Sequence, residues 1–83
     1  MNRTVVLSPR AEADLRALDP PVAARVIGAI ERFAETGAGD VKRLRGASPE
    51  YRLRVGDWRV RFDRPDKDII RILRVLHRRE SYR

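Results

Sequence analysis

Four arginines alternate with apolar residues along two neighbouring runs of the chain, Arg52 and Arg54 within Tyr51 to Val55 and Arg59 and Arg61 within Trp58 to Phe62. A strand points successive side chains to opposite faces, so the four arginines share one face and Leu53, Val55, Trp58, Val60 and Phe62 share the other. Gly56-Asp57 between the runs is a two-residue hairpin signal. Pairing would bring facing side chains within ~5 Å of one another. Guanidinium forks match phosphate oxygens, whereas like charges crowded without a partner cost stability. The nearest acids, Asp57 and Asp63, stand at the strand ends. The pattern therefore points to a phosphate-binding surface. Arg43 and Arg45 extend it on one side, and Arg78 and Arg79 close it on the other. His77 is the single histidine and follows the last apolar run. It is either a structural group or the acid/base, being the side chain expected to titrate near neutrality. Tyr82 lies in a polar tail among arginines. Its ring can stack on a nucleobase, or tuck onto the sheet or a partner.

Length and composition bound what else the chain can be. Its 83 residues make a single domain, 1–83, and a chain this short buries only ~60% of its unfolded surface. A hydrophobic fraction of 42% supports a core and argues against disorder. With no cysteine and one histidine, thiolate chemistry, cysteine-based metal sites and multi-histidine centres are excluded. We expect no cofactor and no metal. Apolar runs such as Val5-Val6-Leu7 fall far short of the ~20 residues of a membrane span. The first residues lack the apolar region of a signal peptide, so a cytoplasmic location is the expectation. The net charge is +7, and 17 of the 19 basic residues are Arg. Residues 1–41 carry 5 basic and 6 acidic groups, and residues 42–83 carry 14 and 6. The positive field belongs to the second half, which implies a polyanionic partner such as nucleic acid.

The elements that must hold the arginines follow from periodicity. Residues 3–7 read as a strand. Ser8-Pro9 is an N-cap followed by Pro at the first helical position, and 9–18 is a short amphipathic helix. Asp19, as a new cap, starts a second helix that ends at Thr36-Gly37. Val22, Val26, Ile30 and Phe33 with Ala23, Ile27 and Ala34 form its apolar stripe, and Gly28 within it suggests close packing on a neighbour. Strands are expected at 51–55, 58–63 and 69–76, the last interior because it is apolar on both faces. The order is β-α-α-β-β-β, an α+β fold with the helical hairpin packed on one face of a mainly antiparallel four-stranded sheet. Leu15, Val26, Ile30, Phe33, Leu53, Val55, Val60 and Ile72 should be buried.

Three segments together resemble a known family: Lys42-Arg43-Leu44-Arg45-Gly46, then Tyr51-Arg52-Leu53-Arg54-Val55-Gly56-Asp57-Trp58-Arg59-Val60, then Val75-Leu76-His77-Arg78-Arg79 with Tyr82 behind. With the helical hairpin before them, the whole chain is similar to the RelE/ParE superfamily of toxins from type II toxin–antitoxin systems. The resemblance implies a cytoplasmic toxin neutralised by a cognate antitoxin. In the RelE-like branch it implies a ribosome-dependent endoribonuclease, an mRNA interferase that inhibits translation by cutting messenger RNA in the A site. In the ParE-like branch it implies a DNA gyrase poison without nuclease chemistry, and an inactive RNA-binding relative is a third alternative. Carried over residue by residue, the catalytic set is Arg52, Arg54, Arg59, Arg78 and Tyr82, with His77 as acid/base candidate. Arg43, Arg45, Arg61 and Arg79 would bind RNA and the ribosome. The chain departs from the pattern at Arg52 and Arg54, where well-studied members carry Lys, one of them a proposed general base. A guanidinium holds a phosphate but does not give up its proton. The implied reaction is metal-independent attack of a ribose 2′-OH on the adjacent phosphorus, with the arginines stabilising the phosphorane.

Overall fold

The computed structural model describes residues 2–81. The elements run β1 (Thr4–Leu7), α1 (Pro9–Arg16), α2 (Pro20–Thr36), β2 (Asp40–Leu44), β3 (Glu50–Val55), β4 (Trp58–Asp66), β5 (Ile69–His77) and α3 (Arg78–Ser81). The sheet order is β1-β5-β4-β3-β2, with β1 parallel to β5 and the other neighbours antiparallel. The α+β layout holds. The sheet has five strands rather than the expected four, because 40–44 pairs with β3 instead of remaining a loop.

Ser8 starts α1 by accepting the Ala11 N–H on its Oγ at 3.1 Å. Asp19 makes no such side-chain cap at α2. Both positions after it are proline, so one of the two N–H groups a cap usually takes, that at Pro21, is missing. Gly37 ends α2 in the left-handed region at φ 76°, returning its N–H to the Phe33 carbonyl.

Val26, Ile30, Phe33 and Ala34 of α2 recur at helical spacing and are buried, with Ala11 and Leu15 of α1, against Leu53, Val55, Val60, Phe62, Ile70, Ile72 and Val75. All eight residues expected in the core are in it. Ile27 is not, and stands exposed one position round the helix. Gly28 is exposed too, and a Cβ there would meet nothing within 4 Å. It borders a groove of ≈ 470 Å³ between α2 and β3 and is not a close-packing contact.

The apolar character of β5 has a specific origin. Arg61 pairs with Arg74 and Phe62 with Ile72, so Leu73 is an extra residue, a β-bulge. The bulge lets Ile72 and Val75, three apart, both enter the core. Beyond Ile72, β1 no longer pairs with β5, and α1 covers the edge. Ser8 donates its N–H to the Ile72 carbonyl (2.9 Å) and its hydroxyl to the Leu73 carbonyl (3.0 Å). Asp14 accepts the Val75 N–H (2.9 Å) and the Arg74 Nε–H (2.9 Å). A sheet edge is thus closed by side chains from a helix.

Partial burial alone would raise the Asp14 pKa. The hydrogen bonds from Arg74 and Val75, with the charges of Arg74 and Arg10, outweigh it and hold the pKa below its ordinary 3.8. A depressed carboxyl pKa contributes stability above the unfolded value and loses it as pH falls through the folded one. Asp14→Ala should therefore cost about 1.5–3 kcal/mol near neutral pH, the range for hydrogen bonds to a charged group. Urea melts should show that gap between variant and parent at pH 7 and shrink it as pH falls from 3.8 through the depressed pKa of the folded carboxyl.

Candidate phosphate-binding face

The pairing register assigns every arginine of the hairpin to a place. One row across the sheet reads Asp40, Arg54, Arg59, Leu76, and the next reads Lys42, Arg52, Arg61, Arg74. Arg52, Arg54, Arg59 and Arg61 alternate with the buried Leu53, Val55, Val60 and Phe62, so they share the face turned away from α2. Paired residues there have Cβ atoms ~4.5–5.5 Å apart.

Carboxylates neutralise one half of this face. Asp63 grips Arg71 through two hydrogen bonds, one of them 2.9 Å from Nε to Oδ1. Asp14 holds Arg74, and Glu50 Oε1 lies 2.8 Å from Arg61 Nε. That last contact lies off the N–H direction and leaves the buried Nε without a hydrogen bond, so it is a charge contact. Its carboxylate hydrogen bond holds the Arg71 guanidinium above its ordinary pKa, as does that of Arg74. The other half makes no close ion pair, although Asp40 stands directly across from Arg54 in the register. Among the described residues, no carboxylate oxygen comes within 4.0 Å of the side-chain nitrogens of Lys42, Arg52 or Arg54. Lys42 and Arg54 are exposed, and Arg52 is half-buried with an unpartnered Nε.

The other candidate residues scatter around this patch. Arg59 is 6% exposed, and its Nη1 donates to the Gly56 carbonyl at 2.9 Å and the Trp58 carbonyl at 3.1 Å. Arg78 and Arg79 are exposed in α3 at the end of the sheet, and Arg78 Nε stands 3.9 Å from Asp57 Oδ1. Arg45 is exposed in the loop before β3. Tyr82 lies outside the described residues. His77 pairs with Trp58, and the two rings meet edge to face at 5.2 Å. Trp58 packs on the core, so His77 is on the helix side of the sheet, away from Arg52, Arg54 and Arg59. Its Nδ1 accepts the Arg79 N–H at 3.3 Å. Arg43 also leaves the expected surface, because it pairs with Tyr51 on the helix side. Lys42 takes its place opposite Arg52. Val41 and Leu44, three apart, hide the strand alternation that would have singled out Lys42.

A family model described as the ParE toxin of the type II toxin–antitoxin system parDE matches residues 5–82. The chain belongs to the RelE/ParE superfamily of type II toxins. It is the toxin of a toxin–antitoxin pair. Solved relatives are RelE complexes. A chain of the toxin–antitoxin complex RelBE2 from Mycobacterium tuberculosis shares 28% identity and TM-score 0.79, over 93% of this chain and 99% of that one. A chain of the RelB–RelE complex from Methanococcus jannaschii shares 26% and 0.74, over 93% and 94%. One from the archaeal RelE–RelB complex of Pyrococcus horikoshii shares 26% and 0.76, over 94% and 97%. No curated protein sequence matches. Among the described residues, no helix is long and apolar enough to cross a membrane.

The two halves of the arginine face should respond oppositely to truncation. Arg54→Ala removes an exposed charge that makes no ion pair within 4.0 Å, Asp40 across the strand included, so thermal melts should stay within about 0.5 kcal/mol of the parent. Arg74→Ala strands the Asp14 carboxylate and should cost more than about 1 kcal/mol, detectable as a lower melting temperature.

Proposed function

We propose that this toxin is an endoribonuclease that cleaves messenger RNA in the ribosomal A site. The observation that carries the reading is the unneutralised cationic patch of Lys42, Arg52 and Arg54, exposed on a sheet face with no core to build. Folding rewards those charges little, with Asp40 across from Arg54 the one acid in register with them, whereas a phosphodiester rewards all three. The ribose 2′-OH attacks the adjacent phosphorus, and the P–O5′ bond breaks. The products are a 2′,3′-cyclic phosphate and a 5′-OH. Arg52 and Arg54 stabilise charge on the phosphorane oxygens, and Arg78 supplies a further cation from the end of β5. One proton leaves the 2′-OH and one must reach the departing oxygen. His77, on the other side of the sheet, is poorly placed for either transfer. Lys42 is the one amine on the arginine face among the described residues, and an amine can exchange a proton where a guanidinium cannot. Alignment by the ribosome then supplies in-line geometry that this small face does not.

A second reading, a gyrase poison, draws support from the ParE description of the matching family model and from the distance of the single histidine from the arginines. In-vitro translation followed by primer extension separates the two. Codon-positioned cuts support the nuclease, while uncut message with inhibited supercoiling by gyrase rejects it. We further infer an antitoxin partner, as in the RelB–RelE complexes. Expressed alone the chain should arrest growth, and its co-expressed antitoxin should restore it.

Within the nuclease reading, Arg54→Ala should lower the single-turnover cleavage rate roughly a hundredfold or more, the effect of removing about 2.7–4 kcal/mol of transition-state stabilisation. Lys42→Arg keeps the charge and removes the exchangeable amine. It should cut the rate and flatten its pH dependence if Lys42 moves a proton, whereas His77→Ala should leave both unchanged.

A further inference from the structure

Arg59 is nine-tenths buried, yet it lies on the face turned away from the core and no carboxylate among the described residues pairs with it. A guanidinium withdrawn from water needs a compensating partner. Its Nη1 has backbone carbonyls as partners, those of Gly56 and Trp58, while its buried Nε has none among the described residues. Gly56 and Asp57 are the central residues of the β3–β4 turn. Gly56 has φ +59°, and among the described residues none other than glycine has positive φ. That combination is the type II′ turn.

The two central carbonyls of such a turn have no partner in the strand ladder, and at this exposed turn they take a donor from water or from elsewhere in the chain. Here each has one. Gly56 O takes the Arg59 guanidinium at 2.9 Å, and Asp57 O takes the Arg78 N–H at 2.7 Å. The Asp57 carboxylate also faces Arg78 Nε at 3.9 Å. Arg78 is the residue at which β5 gives way to α3. One turn is thus held by Arg59 on one carbonyl, and with the other it holds the start of α3.

We propose that Arg59 is a positioning residue that fixes the Gly56–Asp57 peptide and, through it, the Arg78 backbone at the edge of the cationic patch. Rotation of the central peptide interconverts II′ and I′ turns, and the I′ form requires positive φ at both central residues. The bond from Arg59 to Gly56 O selects the II′ orientation. Without it the peptide is free to rotate, Asp57 shifts toward positive φ, and the bond from Arg78 N–H to Asp57 O loosens. Arg59 is then held back from the phosphate, and Arg78 is what it places there. The role of Arg78 toward substrate rests on the nuclease reading, while the turn latch does not.

Two measurements test this. Amide exchange by NMR reads the latch directly. In Arg59→Met the Arg78 N–H should exchange roughly tenfold faster, with Val60 and Ile72 as unchanged reporters of global opening. Arg59→Lys, which keeps one donor for Gly56 O, should fall between, and it serves alone if the Met variant does not fold. The salt dependence of binding to a short single-stranded RNA reads phosphate contact. Arg54→Met should reduce the slope of log K against log salt by about 0.7, one phosphate on a single strand, and Arg59→Met should leave it unchanged. A slope reduced in Arg59→Met, or Arg78 exchange at the parent rate in either variant, overturns the proposal. An unaltered chain that binds no RNA counts against the nuclease reading, and the exchange measurement still decides this one.

Discussion

The period-two alternation of the β3–β4 hairpin governs this molecule. Leu53, Val55, Val60 and Phe62 must be buried against α2, and each is followed or preceded by an arginine. Burying the apolar set leaves the arginines a single place, the opposite face. A slip of one residue would put four guanidiniums into the core and the apolar set into water, a cost far beyond what a small domain can bear. The core therefore holds the cationic face in register, and the face needs no device of its own to stay assembled.

Within that face the charges are divided. Arg61, Arg71 and Arg74 each have a carboxylate, and those carboxylates come from a strand neighbour or from α1. These pairs tie β5 to β4 and to α1, and β4 to β3. Lys42, Arg52 and Arg54, on β2 and β3, have none. Exposed ion pairs contribute little, and their absence costs little, so three cations without a close acid partner, one of them half-buried, are tolerable at this edge. The domain thus keeps its ion-paired arginines beside α1 and along the β3–β4 and β4–β5 pairings, and leaves the others where a polyanion can reach them.

The ends of β5 receive the same treatment by different means. Where β1 stops, Ser8 and Asp14 take over the exposed backbone groups. At the far end the Gly56–Asp57 turn anchors the first residue of α3. A thin core cannot hold strand ends by burial alone, and in both places a polar side chain satisfies a backbone group that the sheet ladder leaves open.

Local pattern determined much of this. The alternation at 51–62 and the helical stripe at 26, 30, 33 and 34 gave the layer order, the core and the facing of Arg52, Arg54, Arg59 and Arg61, because burial follows period directly. Tertiary structure alone decided the rest. Residues 40–44 carry no clean alternation, so only pairing with β3 made them a strand and put Lys42, not Arg43, on the cationic face. His77 sits close to Arg78 in sequence, but the bulge at Leu73 and the pairing with Trp58 send it to the other side of the sheet. Arg59 has the residue type and spacing of a phosphate ligand. Whether its guanidinium meets solvent or a carbonyl depends on the turn geometry at Gly56 and the packing of α3 over the strand ends. Those contacts join residues distant in sequence or set by backbone torsions, and no one-dimensional period encodes them.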